Sequence, residues 1–183
     1  FAGNKLIVHN SFYGLTFGLL VTAGALVIGT VSGACFNPAV AVLTLLHGDY
    51  DDMWVFTLGP IAGALAASAV FLSQPRLEKV WSLLPKLLAE FIGTFYVSWV
   101  VALTSNSDSA NGYLASGFMT ASMVYTSRHI SGGYLNPSVT MGVYIRGLFE
   151  QPQILRLYEC IAYMFVQALA AFAAAGAAIY VNH

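Results

Sequence analysis

Five stretches of the chain, over about 11–31, 53–73, 87–104, 113–127 and 157–181, are dominated by apolar residues and approach the length a helix needs to cross a hydrocarbon core. Their lipid-like character is matched by the composition. Of 183 residues, 58% are hydrophobic and 8% charged, against roughly 25% charged in an ordinary soluble domain. Seven Lys and Arg with eight Asp and Glu cannot cover the surface of a compact water-soluble fold of this size. The expected class is therefore an all-helical integral membrane protein that crosses the bilayer several times; the sequence does not identify which membrane. A net charge of −1 with no basic or acidic run excludes a nucleic-acid partner. Cys35 and Cys160 form no CxxC and no Cys/His ligand spacing, so neither a disulfide frame nor a metal site is expected. No nucleophile elbow appears either, which leaves no catalytic residues, no enzyme and no cofactor in the reading.

Two segments fall outside the spans, and they resemble one another. Ser32-Gly33-Ala34-Cys35-Phe36-Asn37-Pro38-Ala39-Val40 follows the first span, and Ser131-Gly132-Gly133-Tyr134-Leu135-Asn136-Pro137-Ser138-Val139 follows the fourth. The copies are offset by 99 residues, and Gly18/Gly117, Asn37/Asn136, Pro38/Pro137, Val40/Val139 and Gly48/Gly147 all coincide. This is an internal repeat. Each copy carries the signals of a short helix: Asn as N-cap, Pro at the first helical position, Gly just past the end. The ten residues between Asn and Gly would span about 15 Å, half of a hydrocarbon core about 30 Å thick. The half-helices are expected over 37–47 and 136–146.

Three full spans separate the copies, an odd number, so the half-helices enter from opposite faces. Irregular backbone at membrane depth is tolerated only where protein buries it or where it lines a cavity, and inverted broken helices point to a transport path. The domain reading follows: a first repeat over 1–73, a linker over 74–86 and a second repeat over 87–183. A helix N-terminus carries partial positive charge. Two such ends facing each other repel cations while passing neutral polar molecules, whose oxygens the Asn side chains can hold by N–H donation. A single Asn-Pro is ordinarily a turn or a plain helix start. Two copies in matching frames reverse that judgement.

The paired motif resembles the aquaporin or major intrinsic protein family, whose pore is built from two Asn-Pro-Ala half-helices on inverted three-span repeats. Asn37-Pro38-Ala39 matches the family triplet, and Asn136-Pro137-Ser138 has Ser for Ala. The resemblance implies passive conduction of water or small uncharged solutes such as glycerol, with Asn37, Pro38, Ala39, Asn136, Pro137 and Ser138 lining the path. It also implies a homotetramer in which each protomer has its own pore. The family has six full spans, so a sixth is expected before Phe1. Family water channels place Arg directly after the second triplet; here Val40 and Val139 follow the triplets. In this the chain is similar to the unorthodox superaquaporins and small basic intrinsic proteins. The rival reading is an aquaporin-like structural subunit of a larger membrane assembly that conducts little.

With the halves in the family's usual order, the resemblance places the constriction at Phe17, Val124, Gly133 and Val139. Charge complicates that order. Lys5, Arg76, Lys79, Lys86, Arg128, Arg146 and Arg156 all fall on one membrane face, with Asp49, Asp51, Asp52 and Asp108 on the other. The positive-inside rule makes the basic face cytoplasmic, or matrix or stromal in an organelle. Ordinary family members keep the equivalent linker outside. Trp54 to Ile61 also looks like the family's sixth span and Ala89 to Phe95 like its first. Swapped halves or inverted insertion both satisfy these observations. In the swapped order the constriction would be Ser116, Ala25, Ala34 and Val40.

Several other residues carry two readings. Glu90 near the start of an apolar span is a functional position by default; in the family the Glu of this motif accepts hydrogen bonds from the re-entrant backbone, and proton carriage is the alternative. Arg128 and His129 snorkel at a span end or gate the pore mouth. Gln167 lines the pore or bridges spans. Cys35 is a mercury-sensitive pore residue or a small buried hydrophobe. Trp54, Trp81 and Trp99 read as interfacial anchors.

Overall fold

The computed structural model describes residues 12–40, 53–104, 110–149 and 155–182, and all regular structure among them is helical. Six helices follow in order: α1 Tyr13–Ser32, α2 Met53–Val80, α3 Leu84–Thr104, α4 Ala110–Ser131, α5 Pro137–Gly147 and α6 Leu157–Asn182. α1, α2, α3 and α6 are each long and apolar enough to cross a membrane. The fifth expected span is α4, whose 22 residues give about 33 Å of helix. It is less apolar because it carries several hydroxyls. Those of Ser116, Thr120, Ser122, Thr126 and Ser127 donate to carbonyls one turn back, at Gly112, Ser116, Phe118, Ser122 and Met123. Hydroxyls paired in this way need no water, which keeps α4 compatible with an apolar setting.

The expected linker over 74–86 is mostly helix. α2 continues through Gln74 and Pro75 to Val80, and α3 begins at Leu84, so only 81–83 are non-helical. Gln74, Arg76, Leu77, Glu78 and Lys79 are good helix formers, and polarity alone does not end a helix. Pro85 sits in the first turn of α3, where a missing N–H costs no helical bond. Of the half-helix expected over 37–47, the first turn through Val40 is described; 41–47 lies outside the described residues.

α3 is the hub, packing against α4 on one side and α6 on the other, while α1 lies on α4 and α5 on α6. α1 runs antiparallel to α4. Phe12 stacks on Tyr125 with ring centroids 5.8 Å apart, Ser122 Oγ donates to the Thr16 carbonyl at 3.2 Å, and further along Ala23 clusters with Ala115 and Met119. Among the described residues α2 touches only α3, and Trp54, Leu58, Leu65 and Phe71 are exposed along it. A helix that is apolar over most of its length and, among the described residues, packs only on α3 is suited to lipid.

Leu135, just before the second Asn-Pro, reaches the core cluster of Ala23, Val100, Ala115, Met119 and Met123. There it lies against Gly93, nine residues into the 21-residue α3, or about 14 Å along a helix of about 31 Å. Phe36, just before the first Asn-Pro, lies against Gly24, eight residues from the end of α1, or about 12 Å. Both turns thus reach mid-depth. A Cβ at Gly93 would fall 2.5 Å from Leu135 Cδ2 and one at Gly24 2.8 Å from Phe36 Cζ, so a side chain at either position would have to displace the residue that precedes the Asn.

Gly93→Val is expected to destabilise the fold by about 1–3 kcal/mol, the usual range for overpacking. Thermal melts in detergent check this: Gly93→Val with Leu135→Ala should lose less than the sum of the two single changes.

Candidate functional site

Both Asn-Pro turns open with the same pair of positive-φ residues. After α1 the chain passes through left-handed Gly33 (φ 62°) and Ala34 (φ 54°); after α4 it passes through Gly132 (φ 101°) and Gly133 (φ 66°), positions 99 residues on. Leu135 is also left-handed, at φ 52°. For Ala34 and Leu135 that conformation costs roughly 1–2 kcal/mol each, so surrounding contacts must hold them there.

At each tip the Asn caps a helix with its own side chain. Asn136 is extended (φ −155°, ψ 128°), Pro137 occupies the first helical position, and Asn136 Oδ1 accepts the Ser138 N–H at 2.8 Å. Asn37 Oδ1 accepts the Ala39 N–H at 2.9 Å. The Asn37 carbonyl accepts from the Val40 N–H and the Asn136 carbonyl from the Thr140 N–H, each at 2.9 Å. Because each Oδ1 is engaged with its own helix, the amide NH2 is directed away from it. Asn37 and Asn136 are both exposed within the fold. Each tip therefore presents an N–H donor beside the positive end of a helix.

The second turn is held by a buried carboxyl group. Glu90, fully buried on α3, accepts from Ser131 Oγ at 2.6 Å and the Tyr134 N–H at 3.0 Å on Oε1, and from the Leu135 N–H at 2.7 Å and Gln167 Nε2 at 2.8 Å on Oε2. Four donors satisfy a group that would be costly to bury alone. Gln167, also fully buried, bridges from Glu90 to Thr140 in α5, with Nε2 to Oγ1 at 2.9 Å. Tyr163 adds a hydroxyl donated to the Ser131 carbonyl at 3.0 Å. Gln167 thus joins three helices around the turn. Thr140 and Tyr163 went unnoticed in the sequence. Tyr163 and Gln167 stand four apart on one face of an apolar helix, which is the signal that would have found them.

The remaining sequence-derived residues are spread along the same elements. Phe17 is exposed on α1 and Val139 on α5, while Val124 is half-buried on α4. Gly133 is buried beside Val124: a Cβ there would sit 3.2 Å from the Val124 carbonyl and 3.0 Å from Ser127 Oγ. Of the other set, Ser116 is half-buried with its hydroxyl on the Gly112 carbonyl, Ala34 is half-buried, and Ala25 and Val40 are exposed. Cys35 Sγ lies 3.7 Å from the Asn37 carbonyl, and Arg128 and His129 are exposed in the last turn of α4. Among the described residues no cluster of His, Cys, Asp and Glu has the makings of a metal site.

A family model described as Major intrinsic protein matches residues 3–71 and 77–182. The chain belongs to the major intrinsic protein family. Its members are channels rather than enzymes, and with four membrane-length apolar helices the chain is a multi-pass integral membrane protein. It is 29% identical over 147 residues to glycerol uptake facilitator protein-like 6 of Lactiplantibacillus plantarum, covering 70% of this chain and 68% of that protein. It is 26% identical over 163 residues to a probable aquaporin NIP-type of Nicotiana alata, covering 78% and 60%. With aquaporin Z of Photorhabdus laumondii the identity is 35% over 108 residues, 54% of this chain and 44% of that one. The chain thus spans about two thirds of the first of these relatives and less of the other two. No solved structure matches.

Glu90→Gln is expected to destabilise the second turn by about 1–3 kcal/mol for each buried donor left unpaired. Whichever way the new amide lies, its NH2 faces the pair of donors on one former oxygen. A lower melting temperature in detergent, with amide exchange accelerated at Tyr134 and Leu135, is the expected result.

Proposed function

We propose that this protein is a passive channel for water and small uncharged solutes such as glycerol, with a path that runs between the Asn37 and Asn136 tips. The observation that carries the reading is the matched pair of caps: two Asn-Pro helix starts at mid-depth, each with its Asn oxygen accepting a cap bond and, among the described residues, no hydrogen bond shown from its amide N–H. A passing oxygen accepts from these donors, while the partial positive charge at both helix starts repels cations. On this reading the repeats over 1–73 and 87–183 each contribute one triplet, Asn37-Pro38-Ala39 or Asn136-Pro137-Ser138.

The constriction carries no charge in either order of the halves, and in the usual order it is apolar. One set is Phe17, Val124, Gly133 and Val139; the other is Ser116, Ala25, Ala34 and Val40. Neither contains a cation, so size selection is looser than an arginine-lined narrowing would give, and glycerol becomes a reasonable passenger. Assembly as a homotetramer with one path per protomer belongs to the same proposal. The apolar constriction also favours a second reading, since a hydrophobic narrowing can stay empty of water: a poorly conducting subunit of a larger membrane assembly.

Stopped-flow light scattering of liposomes holding the full chain separates the two. Shrinkage in an impermeant osmolyte should be at least tenfold faster than in empty liposomes and should be lost in Asn37→Asp/Asn136→Asp, with reswelling in glycerol. Rates equal to those of empty liposomes, with the protein folded, would leave the structural subunit.

A further inference from the structure

α4 meets different neighbours on its different sides. On one side it packs on α1, where Ser122 Oγ donates to the Thr16 carbonyl and Tyr125 stacks on Phe12. A second side joins α3 through Met119 and Met123, which share a core cluster with Val100 and Leu135. A third side carries Gly117, Thr120 and Val124, three and four residues apart and so in line along the helix. At the Val124 level this side receives the second Asn-Pro turn: a Cβ on Gly133 would sit 3.2 Å from the Val124 carbonyl, 3.2 Å from Arg128 N and 3.0 Å from Ser127 Oγ. Thr120 stands one turn further along. It adjoins Met119 in sequence and so lies at the depth of Leu135, the residue before Asn136. As the eleventh residue of the 22 in α4, it is also about 15 Å along the helix, close to its middle. Thr120 and Asn136 are both exposed within the fold.

The two exposed groups are complementary. Thr120 donates its hydroxyl proton to the Ser116 carbonyl at 2.8 Å, and with that proton committed its oxygen offers lone pairs only. Asn136 is the reverse case, since Oδ1 accepts the Ser138 N–H and the amide NH2 is left to donate. We propose that Thr120 is the acceptor that complements the Asn136 donor on the path, so that a solute O–H group is held at both ends. Its oxygen accepts from Asn136 Nδ2 while its hydrogen goes to Thr120 Oγ1. The inference rests on the channel reading and narrows its solute class. Water and polyols satisfy both partners, whereas a neutral solute with an accepting oxygen but no O–H or N–H makes one bond where two are on offer. Thr120 is thereby a selectivity residue that contributes chemistry rather than width.

Stopped-flow measurements on liposomes holding the full chain compare Thr120→Val, which keeps the volume and removes the acceptor, with Thr120→Ser, which keeps the oxygen. Water and glycerol permeation should fall about three- to tenfold in Thr120→Val, as expected for one lost hydrogen bond, and stay within about twofold of wild type in Thr120→Ser. Thr126→Val is the control: Thr126 makes the same backbone bond, to Ser122, but points about 120° away around α4, and both rates should be unchanged. Placement is read separately by cysteine modification, in a Cys35→Ser background with the buried Cys160 left in place. In the same liposomes a neutral, water-soluble methanethiosulfonate should modify Thr120→Cys and leave Phe172→Cys untouched, as intact mass would show. Phe172 is exposed on the side of α6 opposite the buried Tyr163, Gln167, Ala170 and Ala174. Unchanged permeation in Thr120→Val beside a conducting wild type would overturn the acceptor role, and an unmodified Thr120→Cys would overturn its place on the path. A wild type no faster than empty liposomes would instead overturn the channel reading, and this inference with it.

Discussion

A backbone that leaves helical geometry at the middle of a membrane has no water to take up its N–H groups, and every one left unpaired costs several kcal/mol. The second turn meets this constraint residue by residue. The Gly132 N–H returns to the Arg128 carbonyl, that of Gly133 goes to Ser131 Oγ, and those of Tyr134 and Leu135 go to the two oxygens of Glu90. Ser138 is taken up by Asn136 Oδ1. Glu90 is therefore the point on which the second site depends: it absorbs what the helix cannot, and it holds Leu135 in a left-handed conformation that its side chain resists. Burying Glu90 in turn requires further donors. That requirement explains Gln167 and the serine at 131, and Tyr163 closes the set by donating to the Ser131 carbonyl.

The first turn shares the opening positive-φ pair but has no left-handed residue just before its Asn, and it is held by local means. Ser32 Oγ bonds back to the Ile28 carbonyl, the Cys35 N–H lies 3.4 Å from the Ser32 carbonyl, and the Phe36 N–H reaches the Ala34 carbonyl at 3.0 Å. Its tip enters against α1 itself, through Gly24, whereas the second enters against a separate helix, through Gly93. Two related turns are thus built, with long-range support in one copy and short-range bonds in the other. Lipid supplies no hydrophobic drive between helices, so close approach depends on small residues. Ala23, Ala115, Ala170, Ala174 and Ala178, all buried, fill that role along α1, α4 and α6.

What the sequence made legible is what local chemistry dictates. An Asn cap, a Pro at the first helical position and glycines at left-handed φ are decided within a few residues, which is why a 99-residue offset in the sequence reappears in Gly33 and Gly132. The supporting network was harder to read because Glu90 and Gln167 are 77 residues apart and Glu90 and Leu135 are 45 apart. A lone polar residue in an apolar helix announces a partner without naming it, so Gln167 stood undecided between lining a pore and bridging spans. The linker over 74–86 shows a different limit. Polar residues from Ser73 to Lys86 mark where the chain leaves the apolar layer, but α2 carries its helix past that point to Val80.

On the proposed path, charge and size are handled by different parts of the molecule. Each Asn oxygen accepts a cap bond from its own helix, so on this reading the amide N–H donors and the positive helix starts orient the oxygen of a neutral molecule and disfavour a cation. That discrimination rests on backbone and on the helix starts, which the turn geometry fixes. Width rests on side chains such as Val40 and Val139, which stand exposed on the first turn of each half-helix and touch none of the hydrogen bonds that hold the caps. Substitutions there can widen or narrow the path while leaving the turns intact. An apolar residue after each triplet is therefore compatible with a folded, charge-excluding site even where the arginine of family water channels is missing.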